Sequence, residues 1–229
     1  MIATMHPISL PKPARPEMPL NAPAPDELHD AADNAMQRLR AVPVHARTAS
    51  GTIDVAGYAQ LLAGLWTAYS GIEQRLIAFA PTPVLAALPQ LRSSLLLEDL
   101  ATLRLPGVLR SVMKSTAHPP AIHTTASAIG AVYAMEFIDR EAATILAGLH
   151  GNAALPDASA FFSWCAAQHA QRWPLAQRIA VEAIAAEMSG IVDGVQATFD
   201  TLTARIAPDV KPTRTPRGVR VKSLEALAA

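Results

Sequence analysis

Cysteine is nearly missing. Cys165 stands alone among 229 residues, so no internal disulfide can form, and a thiol without nearby Cys or His ligand spacing builds no zinc site. A reducing compartment suits it best, and the expected location is cytoplasmic. Charge of one sign is also lacking: 19 basic residues face 19 acidic ones, with a pI near 7.1. Neither nucleic acid nor an anionic membrane would be drawn to such a chain by its general field. No stretch approaches the roughly 18 uninterrupted apolar residues of a membrane span, and no basic patch followed by an apolar block opens the chain. The familiar chemical signatures are missing too: a glycine-rich phosphate loop, a GxSxG elbow, HExxH and paired cysteines. The two Glu-x-x-His pairs of a carboxylate-bridged di-iron bundle are likewise absent.

What is abundant is alanine and, locally, proline. The hydrophobic class makes up 51% of the residues while aromatics supply 5%, enough apolar surface for one large domain. Seven of the 19 prolines fall in residues 1–25, where missing backbone donors and absent apolar periodicity predict an extended or disordered arm. At the other end, residues 207–229 read as a basic tail, with five basic and no acidic residues between Lys211 and Lys222. Residues 26–206 form the expected helical domain.

Helical periodicity runs almost throughout that domain. Asp26 can cap a helix through ELHDAADNAMQRLRAV, punctuated by Pro43 and Gly51. From Ile53, the residues Tyr58, Leu61, Leu62, Leu65, Tyr69, Ile72 and Leu76 recur at three- and four-residue steps and define one buried face. A third helix ends at Pro106, with Leu95, Leu96, Leu100 and Leu103 as its stripe and Pro89 near its start or at a kink. A long helix is expected from about Ala121 to Leu149. Its small residues Ala126, Ala128, Gly130, Ala131 and Ala134 permit close approach to a neighbour or a flat ligand. Another opens near Pro156 and Asp157, and Pro174 is expected to begin the last. No run alternates in the manner of a strand. The fold class is therefore all-α, a single multi-helical bundle.

Seven histidines remain as candidate ligands: 6, 29, 45, 118, 123, 150 and 169. Spacing alone gives none of them a special role, and a surface or capping histidine is the default. The sequence QRLRAVPVHARTASGTIDVAGYAQLLAGLWTAYSGIEQRL, however, resembles the opening of bacterial, biliverdin-producing heme oxygenases. There a Leu-Arg-x-x-Thr-x-x-x-His helix precedes a Tyr-x-x-Leu-Leu helix; here the matches are His45, Tyr58, Leu61, Leu62, Glu73 and Leu76. LRSSLLLEDLATL is similar to the family's next segment at Arg92, Leu96, Asp99, Leu100 and Leu103. SAIGAVYAMEFIDREAATILAGL lies over its distal helix, matched at Gly130, Ala131, Tyr133 and Glu136. The likeness spans roughly residues 30 to 206.

The resemblance implies a heme oxygenase-like bundle holding haem, both substrate and cofactor, between the first helix and the distal helix. It implies His45 as proximal ligand to the haem iron, with Arg38, two turns earlier on the same face, and Tyr133 toward the propionates. Arg172 and Arg178 are further propionate candidates. An electron-donating reductase or ferredoxin would be the partner, and biliverdin, CO and iron the products of the oxidoreductase. The chain departs from the family where the distal helix carries glycines against the porphyrin: those positions read Phe137, Glu141 and Ala142. The family's threonine before the histidine is Ala41, and Pro43 removes a helix donor two residues ahead of His45. Two readings follow. Haem is cleaved with Arg140, Glu141 or Asp139 supplying distal polar groups, or the fold is kept as a haem-binding, sensing or helical interaction module without turnover. Phe137 discriminates between them.

Overall fold

The computed structural model describes residues 26–86, 91–108, 110 and 119–207. The expected arm over 1–25, nearly all of the tail, Pro89 and His118 lie outside the described residues. Among the described residues the chain is all-helical, without a strand: α1 Asp26–Arg40, α2 Pro43–Ala49, α3 Val55–Phe79, α4 Thr82–Ala86, α5 Arg92–Thr102, α6 Thr125–Ile138, a 3-10 turn Asp139–Glu141, α7 Ala142–His150 and α8 Ala160–Ile206. No helix among them is long and apolar enough to cross a membrane.

The periodic faces bury as their spacing demands. Tyr58, Leu61, Leu62, Leu65, Tyr69, Ile72 and Leu76 of α3 are all in the core, as are Leu95, Leu96, Leu100 and Leu103. Each such side chain contributes about 1.5–3 kcal/mol on burial. Asp54 starts α3 by accepting from the Gly57 amide at 2.7 Å, a side-chain cap on an otherwise orphaned donor. α8 lacks a cap from its own Ser159. Instead Asp99 of α5 accepts from the amides of Ala160 and Phe161 at 2.7 and 3.0 Å, so one carboxylate joins two helices. Burial pushes the Asp99 carboxyl up, and those two amides work against the rise.

The small residues of α6 serve helix packing. A Cβ added at Gly130 would overlap the carbonyl oxygen of Ile191, and one at Gly194 would overlap that of Ser127. α6 and α8 thus cross backbone against backbone at two reciprocal glycines.

Three boundaries differ from expectation. The first helix stops at Arg40, and His45 belongs to α2, which begins with Pro43. Proline has no N–H to give the Leu39 carbonyl, and Val42 before it is extended (φ −67°, ψ 124°), so the helix cannot pass through. The long distal helix is interrupted by the 3-10 turn after Ile138. Pro174, in contrast, does not begin a helix: α8 runs on through it and leaves helical geometry at Glu187 (φ −151°, ψ 44°). Burial of Phe161 and Cys165 before Pro174, and of Ala176 and Ala180 after it, holds both sides of the proline in the same core.

Candidate functional site: the seam between the first helices and the distal segment

The side chains singled out by sequence fall on two sides of α6. Toward α1, Phe137 is fully buried. Its ring meets His29 of α1 edge-on at 5.3 Å, Trp173 at 5.7 Å and Phe199 at 6.4 Å, with Tyr133 at 6.1 Å. The Arg140 guanidinium covers the remaining face, 3.5 Å from the ring centroid, a cation–π contact. Tyr133 is also fully buried. Its hydroxyl lies 3.5 Å from His29 Nδ1, and burial raises its pKa, so it stays a phenol.

Ion pairs close the seam around this aromatic cluster. Arg40 of α1 donates to Glu141 at 2.5 Å, and Arg140 donates to Asp33 of α1 at 3.1 Å. His29 Nε2 sits 3.4 Å from Asp33. A turn beyond, α2 lies directly on α7: a Cβ on Gly148 would fall 2.6 Å from the carbonyl oxygens of both Thr48 and Ala49. Gly51, in the left-handed region at φ +69°, would meet the Gly148 carbonyl at 2.7 Å in the same way. Only glycine permits that approach at either position.

His45 is buried at 6% exposure within this layer. Burial lowers its pKa; the Glu141 carboxylate opposes the shift and Arg40 adds to it, so the imidazole is neutral near pH 7. Arg38 does not share a helix with His45. It donates to Gln196 at 2.9 Å and lies 3.7 Å from Asp200 at an exposed edge.

Arg172 belongs to the opposite side of α6, in a buried ionic cluster. Arg92, with no exposed surface, donates to Glu136 and Asp139, each at 2.7 Å. Arg172 donates to the same Glu136 oxygen. The two guanidiniums stand 5.7 and 4.7 Å from the Trp164 ring. Burial works against the Arg92 charge, but Asp139 and Glu136 more than offset it; burial pushes the Glu136 carboxyl up. Glu73 completes the group by accepting from the amides of Arg92 and Ser93 at 2.5 and 3.2 Å, capping α5. Arg172 thus gives one of its Nη atoms to Glu136 inside this cluster.

A porphyrin between α1–α2 and α6–α7 would have to part these surfaces by its own thickness. The residues present do not fit it. The Phe137 ring touches α1 where the family has hydrogen, the Arg40–Glu141 pair spans the gap, and α2 meets α7 through bare backbone. Sequence reasoning assigned no role to His29, Arg92, Glu136 or Asp99, and it placed Asp139 among the distal polar groups rather than in a salt bridge to Arg92. One signal was available, since Glu136 is the single charge in the apolar run from Ala126 to Ile138 and needs a buried partner. No family model matches this chain, and no curated protein does either.

Proposed function

We propose that this chain is a heme oxygenase-like bundle that no longer turns over haem and works as a helical binding module. The carrying observation is Phe137, fully buried against His29, Trp173 and Phe199 at the position where the resemblance calls for a glycine beside the iron. Glu141, at the second glycine position, supports the same reading, because its carboxylate is bound to Arg40 and is turned to α1 rather than to an oxygen site. Binding without chemistry needs only the rigid helical surface that the reciprocal glycines and the ionic cluster provide.

The test is turnover. Purified protein mixed with hemin and supplied with ascorbate, or with ferredoxin and its reductase, is expected to give no biliverdin absorption band. Growth of that band to stoichiometric yield, abolished in His45→Ala, would restore the enzyme reading.

A further inference from the structure

α7 ends at His150, and the chain returns through residues 151–159 to start α8. That return is tied down near both ends. Asn152 donates to the Ile53 carbonyl at 2.7 Å and accepts from the Ala154 amide at 3.1 Å, while the buried Tyr58 hydroxyl donates to the Ala158 carbonyl at 2.5 Å. Beside the loop held in this way is a cleft of about 250 Å³, lined by Tyr58, Leu149, His150, Asn152, Asp157 and Ser159. None of these side chains takes part in the seam or in the ionic cluster.

We propose that this cleft binds a small organic cation, a primary ammonium group on a short aliphatic body. The sign of the charge comes from the lining. Among the described residues that line it there is no lysine or arginine, and Asp157 supplies a carboxylate. α7 brings its C-terminus to the cleft through Leu149 and His150, and the terminal carbonyls of a helix carry partial negative charge. The opposite pole, at the start of α8, is already met by Asp99, which accepts from the Ala160 and Phe161 amides. This field reaches the wall: burial first, then the charges of Asp99 and Asp157, push the Tyr58 phenol up. An anion is repelled there, and a cation is drawn in. Size sets the rest. The volume lies below the roughly 300–1,000 Å³ of pockets for drug-sized ligands, and Leu149, Leu155 and Pro156 offer apolar wall to a short carbon chain. A metal ion is a poorer occupant, since the described residues hold no group of three or more His, Cys, Asp or Glu side chains placed to ligate one. The site stands independently of the haem reading above.

The experiment titrates the isotope-labelled full chain with n-butylamine hydrochloride while amide shifts are followed by NMR, with sodium butyrate and calcium chloride in parallel. Butylammonium is expected to give saturable shifts grouped on residues 149–159 in the millimolar range, and butyrate none there. Asp157 is exposed and accepts from the Ser159 hydroxyl at 3.1 Å, an acceptor that Asp157→Asn keeps. That variant should bind about two- to fivefold more weakly, the reach of a solvent-exposed ion pair. Asp157→Lys, which puts a cation on the wall, should abolish the saturable shifts while the helical circular dichroism is retained; if it does not fold, Asp157→Asn decides. No saturable shift on residues 149–159, an equal response to butyrate, a tighter response to calcium, or unchanged affinity in either folded variant would each overturn the proposal.

Discussion

Replacing Phe137 by alanine separates a packed seam from an open pocket. The ring has no exposed surface and four aromatic neighbours, counting His29. Truncating a buried phenylalanine costs about 3–5 kcal/mol through lost transfer energy and the cavity left behind. Loss of the Arg140 contact adds about 0.5–1 kcal/mol, at the low end because Arg140 is partly exposed. A total of about 3.5–6 kcal/mol is a large share of the ~5–15 kcal/mol that holds a domain together. With a urea slope of about 2 kcal/mol per molar, the unfolding midpoint should fall by about 2–3 M. Urea titration followed by circular dichroism measures it, with Phe137→Leu as a control that keeps much of the volume and loses about half as much or less. A Phe137→Ala loss below ~1 kcal/mol would refute the reasoning, since that is the cost expected of a ring lining an open cleft.

Gly194→Ala should destabilise by several kcal/mol, because its methyl would overlap the Ser127 carbonyl and backbone cannot yield as a side-chain tip does; thermal denaturation reads this as a fall in Tm well beyond that of Ala176→Gly. Arg92→Met should cost about 3–5 kcal/mol by leaving Asp139 and part of Glu136 uncompensated in the core, and the Arg92→Met, Asp139→Asn pair should recover part of that loss in the same urea assay. Burial holds the pKa of His45 below its ordinary 6.5, so the folded state takes up fewer protons than the unfolded chain. Stability from this group is fully present above about pH 6.5 and is lost as pH falls through the lower folded value. His169, also depressed by burial, acts in the same direction. His45→Gln should flatten the decline in Tm between pH 7 and 5 only in part, and the double variant with His169→Gln further.

The helical stripes were legible because a period of 3.6 is written directly in α3 and α5, where every residue of the expected face is buried. The break before His45 was half legible. Pro43 is visible in sequence, but that α2 swings onto α7 depends on Gly51 and Gly148 meeting across roughly a hundred positions. Pro174 misled for the reverse reason, as local propensity predicted a start where packing on both sides carries the helix through the proline. The site was hardest to read. Phe137 and Glu141 stood out only against a family pattern, and their partners His29 and Arg40 are found by three-dimensional contact. Arg92 likewise looks like an ordinary helix charge until the fold buries it, and Glu136, alone in its apolar run, signals a buried partner without saying which.

The most direct measurement is a hemin titration of the purified full-length protein, followed in the Soret region beside His45→Ala. A seam filled by Phe137 and locked by Arg40–Glu141 predicts no saturable Soret shift and the same trace for both proteins. A one-to-one shift in the wild type that is lost in His45→Ala would contradict it.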